Sequence, residues 1–199
     1  MNQAHPPRII LASTSEYRLD LLSRLQLRFE QIDPIYTESG RSGETPNEKA
    51  IRHSLGKAIS VSTGLDAAYP YIVIGSDQVA HLGNDVLPKP VTLERPTAQL
   101  SICSGQWVSF TTAICLVDEA DRVFEAIERF QIKYRKLSLA AIARYLEVDK
   151  PFDCAGSIKV EASGISLIED TRGRDINTVY GLPLMLLQES LKSFSNYSV

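Results

Sequence analysis

Apolar positions in the first half of the chain follow two different patterns, which predict alternating strands and helices. Uninterrupted apolar runs at residues 9–12 and 71–75 favour short buried strands, and the second run continues towards residue 80. A weaker strand is expected around residues 29–35. Apolar residues at four-residue spacing after residue 15, and one apolar face over residues 48–63, predict two helices.

The second half of the chain begins with a hairpin pattern. Residues 107–117 are rich in β-branched and aromatic side chains, an acidic turn follows at 118–121, and residues 122–134 return as the partner strand. Short strands are also predicted at 158–160 and 165–168.

Three more helices are predicted around this hairpin. One covers residues 97–103, one begins after the N-cap residue Ser138, and the last is opened by Pro183. With β-α units at both ends and a hairpin between them, the chain is expected to form an α/β fold with a mixed sheet.

Composition limits the class of protein. A chain of 199 residues with 44% hydrophobic and 23% charged residues suits one domain or two small lobes that share a core. The net charge is -3 and no Lys/Arg run exceeds two residues, so bulk nucleic-acid binding is not expected, although a small anionic ligand fits. The run at 9–12 is too short for a signal segment or membrane span.

Cysteines and histidines do not form a metal-binding pattern. The odd number of cysteines excludes a complete disulfide framework, and their spacing is not that of zinc ligands. Free thiols fit a reducing compartment, so we expect a cytoplasmic protein without membrane attachment. The histidines are also predicted to take no part in chemistry; they are His5, His53 and His81.

The segment Leu-Ala-Ser-Thr-Ser-Glu-Tyr-Arg at residues 11–18 can form an anion site. A strand that ends in small hydroxyl residues at a helix start presents Ser13 and unpaired backbone N–H groups, and the helix dipole adds positive potential. Arg18 in the first helical turn could then grip a phosphate. The alternative is an ordinary capped helix with a surface arginine.

Two further charged positions are candidates for chemistry. Asp77 directly follows a buried strand, where a carboxylate is costly unless it is paired or binds a metal; a loop-capping role is the alternative. Lys89 lies between two prolines, which would hold its charge at low entropic cost, although taken alone the motif favours a plain surface loop. Small residues at 153–161 and 173–183 permit close approach to a ligand or simply tight turns.

Taken in order along residues 11–187, these motifs resemble the Maf family of nucleotide pyrophosphatases. The matching elements are Leu-Ala-Ser-x-Ser-x-x-Arg at 11–18, Glu38, Lys57-Ala58, Ser76-Asp77-Gln78-Val79, Lys89-Pro90, Cys154-Ala155-Gly156-Ser157 and Gly181-Leu182-Pro183. Each element is short, but the ordered set is specific.

Three positions resemble one branch of that family in particular. Tyr17, Gln78 and Glu161 look like those of the YceF branch, whose members act on 7-methyl-GTP, whereas the dTTP/UTP branch typically carries arginine, threonine and glutamine there. The chain also departs from the family pattern at four positions: Glu16 replaces a proline, Leu19 a second arginine, Pro88 a glycine, and Gly56 an acidic residue.

The resemblance implies both a fold and a reaction. The fold would be a two-lobed, Maf/ITPase-like α/β domain over residues 1–199, with helices around a long curved mixed sheet and a central cleft. A homodimer is also implied. The reaction would be hydrolysis of the α–β phosphate bond of a nucleoside triphosphate, giving a monophosphate and pyrophosphate, and 7-methyl-GTP would be the substrate.

The resemblance also implies roles for individual residues. Asp77 would activate the attacking water as its first role and, with Glu38, would bind Mg²⁺ or Mn²⁺, cations that prefer oxygen ligands. The residues implied to bind phosphate are Ser13, Arg18, Lys57 and Lys89. Those implied to select the base are Tyr17 through its aromatic face, Gln78 as donor and acceptor on a purine edge, and Glu161 as an acceptor for guanine N–H groups.

Three alternatives stay open at this point. The first keeps the reaction but changes the base, to pyrimidine nucleotides such as dTTP and UTP or to other modified nucleotides. The second is a nucleotide-binding regulator without turnover, since the family is also linked to septum formation in cell division. The third is an unrelated nucleotide-fold module, which the ordered set of motifs does not favour.

Overall fold

The computed structural model describes residues 6–90 and 94–195, which form one mixed sheet with helices packed against it. The elements are β1 (Arg8–Ala12), α1 (Glu16–Ser23), β2 (Phe29–Ile32), α2 (Pro46–Ser62), β3 (Tyr71–Leu82), β4 (Asp85–Val86), α3 (Glu94–Cys103), β5 (Trp107–Asp118), β6 (Val123–Tyr134), α4 (Leu139–Asp149), β7 (Ile168–Arg172) and α5 (Leu184–Ser195). Short 3-10 turns occur at Ala155–Ser157, Ser163–Leu167 and Ile176–Thr178.

The sheet confirms the mixed α/β class. Its strand order is β2-β1-β3-β5-β6-β7, and the short β4 pairs with β3. β1 lies parallel to β2 and β3, whereas β3, β5, β6 and β7 pair in antiparallel fashion. The parallel part comes from the predicted β-α units, and the predicted hairpin forms the β5–β6 pair. The antiparallel pairings of β3 with β5 and of β6 with β7 were not predicted.

Hydroxyl caps fix the starts of three helices. The Thr45 side chain accepts from the backbone N–H of Glu48 while the Glu48 carboxylate accepts from that of Thr45, a capping box that begins α2. Ser15 caps α1, and Ser138 caps α4 as predicted. These caps determine where α1 and α2 begin, and both helices contribute side chains to the site described below.

Side chains that alternate along β1, β3 and β5 supply two apolar clusters. One cluster includes α1 and α5 residues, and the other includes α2 residues. A third cluster joins the first residues of β5 and the last of β6 to α3, α4 and the segment 155–168. The predicted apolar face is buried in α5, through Leu184, Leu187 and Leu191, but only partly in α2, where Ile59 is exposed.

Helix α2 lies unusually close to β3 at Gly75. A Cβ atom at this position would lie 3.0 Å from the Cβ of Ala58 and would overlap the carbonyl oxygen of Ser54. The missing side chain therefore allows the helix to approach the strand backbone. One consequence is that Lys57 of α2 and Asp77 of β3 meet directly.

The strands predicted at 158–160 and 165–168 are wrong. Residues 158–160 follow a 3-10 turn in which Gly156 and Ser157 have φ of +69° and +56°, values that break an extended conformation. Residues 163–167 form another 3-10 turn, and β7 begins only at Ile168. The apolar residues Ile158 and Leu167 are buried in the third cluster. The apolar pattern of the sequence therefore indicated burial correctly but did not indicate strand conformation.

Other differences are smaller. β2 ends at Ile32, earlier than predicted, and β4 has no counterpart in the sequence prediction.

Of the three histidines, His5 lies outside the described residues. None of the helices in the described ranges combines the length and the hydropathy needed to cross a membrane.

Candidate active site

A cleft of about 770 Å³ opens beside the end of β1 and the middle of β3. This volume is typical of sites that bind a nucleotide-sized ligand. All the residues singled out from the sequence as site residues line it: Ser13, Tyr17, Arg18, Glu38, Lys57, Asp77, Gln78, Lys89 and Glu161. The structure thus brings together side chains that are up to 148 positions apart in the chain, from 13 to 161.

Two carboxylates meet at one ammonium group in this cleft. The Nζ atom of Lys57 lies 2.6 Å from Oε1 of Glu38 and 2.6 Å from Oδ1 of Asp77. Lys57 and Asp77 are buried, whereas the Glu38 side chain is half exposed. Burial alone would raise the pKa of Glu38, but the Lys57 ammonium, together with smaller contributions from His53 and Lys89, more than offsets this effect, so the pKa is lowered. Glu38 is therefore ionised throughout the neutral range.

The position of Lys57 refines its expected role. An ammonium group has three N–H donors, and the two carboxylates engage two of them. At most one donor is left for a phosphate oxygen. Lys57 therefore organises the carboxylate pair first and is, at most, a single-point phosphate contact.

Arg18 links the start of α1 to the turn before α5. Its Nε donates to the carbonyl oxygen of Gly181 at 2.8 Å, and its Nη1 donates to Oγ of Ser13 at 3.4 Å. Burial lowers the pKa of Arg18, and the negative charges of Asp77 and Glu38 counteract that shift. The guanidinium keeps its charge, because arginine is not deprotonated in proteins. The alternative of a plain surface arginine is wrong, since Arg18 lines the cleft.

Tyr17 and Glu161 lie on the side of the cleft near residues 153–154. The Tyr17 hydroxyl is 3.9 Å from Sγ of Cys154. Burial raises the pKa of Tyr17, and the neighbouring Cys154, Asp153 and Glu161 side chains raise it further, so Tyr17 carries a neutral phenol. An aromatic face next to two carboxylates is an environment that favours a cationic group.

Gln78 has less hydrogen-bonding freedom than its residue type suggests. Its Nε2 lies 2.6 Å from the carbonyl oxygen of Thr178 and 2.8 Å from that of Val179. Two carbonyl acceptors require the nitrogen, so both N–H donors are used within the protein. Gln78 can therefore present only its carbonyl oxygen to a ligand, and the prediction that it also donates is not supported.

The remaining cation predicted from the sequence, Lys89, is exposed at the rim of the cleft. Its charge contributes to the lowered pKa of Glu38.

Sequence reasoning did not point to Lys49 or Tyr36, which also line the cleft. Lys49 lies on α2, two turns before Lys57, and its spacing of eight residues was a usable signal that both share one helix face. Tyr36 lies in the irregular segment between β2 and α2, where no periodicity could point to it.

The chain is similar to known proteins over most of its length. The model of a family described as Maf-like protein matches residues 8–194. The chain is 44% identical over 187 residues to a Pseudomonas aeruginosa protein named 7-methyl-GTP pyrophosphatase, with 93% of this chain and 95% of that protein covered. A protein of the same name from Alcanivorax borkumensis is 40% identical over 186 residues, with 93% of each covered.

Among solved structures, a HAM1 protein from Coxiella burnetii has 20% sequence identity and a TM-score of 0.46. The match covers 66% of this chain and 75% of that one.

Proposed function

Because this chain belongs to the family of Maf-like proteins, we propose that it hydrolyses 7-methyl-GTP to 7-methyl-GMP and pyrophosphate. The observation that carries the proposal is the pair of carboxylates, Glu38 and Asp77, held by Lys57 in a nucleotide-sized cleft that Arg18 also lines. Cleavage of a triphosphate requires charge neutralisation and a positioned water, and this arrangement supplies groups for both.

Asp77 is the base that takes a proton from the attacking water. Lys57 engages Oδ1, and within the described residues no protein group bonds to Oδ2, which is left to accept that proton. The water adds across the α–β anhydride bond, so the products are the nucleoside monophosphate and pyrophosphate. A base of this kind contributes about 10²–10⁴-fold to the rate.

Arg18, Lys89 and the third N–H of Lys57 neutralise phosphate oxygens. Ser13 assists them, because its Oγ accepts from Arg18 and from the backbone N–H of Ser15, which leaves its own O–H to donate. The start of α1 adds the positive end of a helix dipole to the same place.

The carboxylate pair also suits a divalent cation. No group of three or more His, Cys, Asp or Glu side chains in the described ranges could hold a metal by itself. Mg²⁺ is commonly bound by only one or two carboxylates together with substrate phosphates and water. We therefore propose that Glu38 binds the Mg²⁺ or Mn²⁺ that enters with the nucleotide directly, and that Asp77, whose Oδ2 serves first as the base, contributes to the metal site through a water molecule. The bound ion would neutralise phosphate charge.

Selection of the base follows from acceptors and charge. Glu161 and the Gln78 carbonyl offer only acceptors to a ligand. Guanine presents two adjacent donors, N1–H and the amino group, which match these acceptors. Thymine and uracil match them less well, because each has one N–H between two carbonyl acceptors. N7-methylation gives the ring a positive charge, which the face of Tyr17 attracts. This combination favours methylated guanine over the pyrimidine alternative.

The direct test is pyrophosphate release by the full chain from 7-methyl-GTP, GTP, dTTP and UTP, with Mg²⁺ or Mn²⁺. We expect the highest kcat/KM for 7-methyl-GTP, by about tenfold or more over GTP if the cation–π contact is desolvated. A preference for dTTP or UTP would favour the pyrimidine alternative. Nucleotide binding without release above a no-enzyme control would favour the non-catalytic regulator.

Removal of the metal is expected to abolish pyrophosphate release, because the triphosphate charge would then be neutralised only by side chains. Glu38→Gln should raise the metal concentration for half-maximal activity by about tenfold or more. Binding of Mn²⁺ in the presence of nucleotide, followed by its electron paramagnetic resonance signal, should weaken in parallel. Glu169→Gln, an exposed carboxylate on β7, is the control. Full activity in excess EDTA would refute the metal role.

Replacing Lys89 by alanine should lower kcat/KM about tenfold for every nucleotide, since a hydrogen bond to a charged phosphate is lost while the base is untouched. The measurement is kcat/KM across the same four substrates. Lys192→Ala, an exposed lysine on α5 outside the cleft, should leave it unchanged. An altered ranking of substrates with little overall loss would place Lys89 at the base instead.

A further inference from the structure

The segment that carries Glu38 has no regular secondary structure. It spans residues 33–45 between β2 and α2 and contains only a short turn at 42–43. Backbone hydrogen bonds of a helix or strand therefore do not fix the position of Glu38, although its carboxylate lies 2.6 Å from Nζ of Lys57. Side-chain contacts from α2 must hold this segment in place.

The ring of Tyr36 lies on the bare backbone of α2 at Gly56. A Cβ at Gly56 would overlap the ring, at 2.5 Å from its Cζ and 2.8 Å from its Cδ2. Any other residue at this position would therefore displace Tyr36. The glycine in mid-helix, ordinarily unfavourable, is explained by the space it leaves for this ring.

Two neighbouring side chains of α2 hold the Tyr36 hydroxyl. Nη1 of Arg52 donates to it at 3.4 Å, and it lies 3.1 Å from Nδ1 of His53. Because the arginine can only donate, the hydroxyl proton is available for His53. The rings of Tyr36 and His53 also pack edge to face, with centroids 5.7 Å apart and an interplanar angle of 72°.

The same arginine holds the segment on the other side of Glu38. Nη2 of Arg52 donates to the carbonyl oxygen of Ser39 at 2.9 Å, and its guanidinium forms two hydrogen bonds with Glu44 at 2.5 Å and 2.6 Å. The chain is thus anchored two residues before Glu38 and one residue after it.

We propose that Tyr36, seated on Gly56 and bonded to Arg52 and His53, is a positioning residue that holds the Glu38 carboxylate against Lys57. The proposal rests on the proposed function, because it assigns the network to the carboxylate pair of that reaction. His53 is buried, and the sequence pattern predicted no chemical role for it. In this proposal His53 acts indirectly, by holding Tyr36.

The test is a double-mutant cycle between this network and Glu38. Gly56→Ala should lower kcat/KM for 7-methyl-GTP by about tenfold, and Tyr36→Phe by about threefold or more, because phenylalanine keeps the ring but loses both hydroxyl contacts. In a Glu38→Gln background each change should add less than about twofold. Gly40→Ala is the matched control, since a Cβ at this glycine of the same segment would meet nothing within 4 Å.

A second double-mutant cycle tests the contact between the Tyr36 ring and Gly56. With Tyr36 already replaced by alanine, Gly56→Ala should cost no further activity, because the ring with which the new methyl group collides is gone. A crystal structure of Gly56→Ala should show the Glu38 carboxylate outside hydrogen-bonding distance of Lys57.

The outcomes separate the two proposals. Equal losses from Gly56→Ala with and without Glu38, or a Glu38–Lys57 contact unchanged in the variant structure, would overturn the positioning role. Absence of pyrophosphate release by the wild-type chain from every nucleotide would overturn the proposed function instead. In that case the variant structure still decides whether Tyr36 holds Glu38.

Discussion

Replacing Asp77 by asparagine is expected to lower kcat by about 10²–10⁴-fold, the range typical of a lost general base. Asparagine has nearly the same shape, and its carbonyl can still accept from Lys57, which lies 2.6 Å from Oδ1 in the wild-type chain. Lys57 also keeps its contact with Glu38, so no buried ammonium is left without a partner. The measurement is steady-state pyrophosphate release, together with circular dichroism to confirm the fold.

Asp118→Asn provides the matched control for this experiment. Asp118 is also a buried carboxylate at the sheet, but it accepts from Arg122 and from the backbone at the β5–β6 turn, away from the cleft. Its replacement should lower thermal stability and leave kcat unchanged. An Asp77→Asn variant that keeps more than about a third of wild-type activity would refute the base role, since a general base contributes far more than that.

Replacing Glu161 by glutamine is expected to reduce discrimination for 7-methyl-GTP over GTP by about 10- to 100-fold. The lost attraction between the carboxylate and the cationic ring accounts for this factor, which corresponds to about 1.4–2.8 kcal/mol. Both guanines share the N–H donors, but only the methylated ring is cationic and is attracted by the carboxylate. The glutamine amide also presents donors to those N–H groups. The quantity to compare is the ratio of kcat/KM values for the two substrates.

Tyr17 gives an independent view of the same selectivity. Tyr17→Ala should penalise 7-methyl-GTP more than GTP, because the cation–π contact exists only with the charged ring, whereas Tyr17→Phe should keep the preference. Glu169→Gln and Tyr69→Ala alter exposed residues that do not line the cleft, and they serve as controls. Equal losses on both substrates would mean that Tyr17 and Glu161 only support the pocket, and the preference for methylated guanine would lose its basis.

Sequence patterns predicted those parts of the fold in which burial and conformation coincide. The apolar runs of β1 and β3, the β5–β6 hairpin and the Ser138 cap all combine a burial pattern with a local conformational signal. The segment 155–168 lacks that agreement. Its apolar residues are buried, but the backbone turns at Gly156 and Ser157, so a burial pattern alone predicted strands that do not form.

The chemical identities of the site residues were also accessible from sequence. A carboxylate after an apolar run, a hydroxyl-rich helix start and a lysine between prolines each indicate possible chemistry, and their order along the chain resembles the Maf family. The expectation that Asp77 follows its strand was wrong, because β3 continues to Leu82. The comparisons then established that the chain belongs to that family. The departure at Gly56, by contrast, was visible in the sequence without any explanation.

Only the tertiary structure decided how these groups pair. It placed Lys57 between Glu38 and Asp77, committed the amide of Gln78 to carbonyls about 100 residues away, and filled the space at Gly56 with Tyr36. Hydrogen-bond partners between distant segments depend on how α2 packs on β3 and on the path of the irregular segment 33–45, and neither leaves a periodic signal. The sequence by itself therefore determined which chemical groups this protein has and the strands and helices that carry most of them. Packing determined which hydrogen-bond donors and acceptors remain for a substrate, because an atom already bonded within the protein cannot use the same donor or acceptor to bind a substrate.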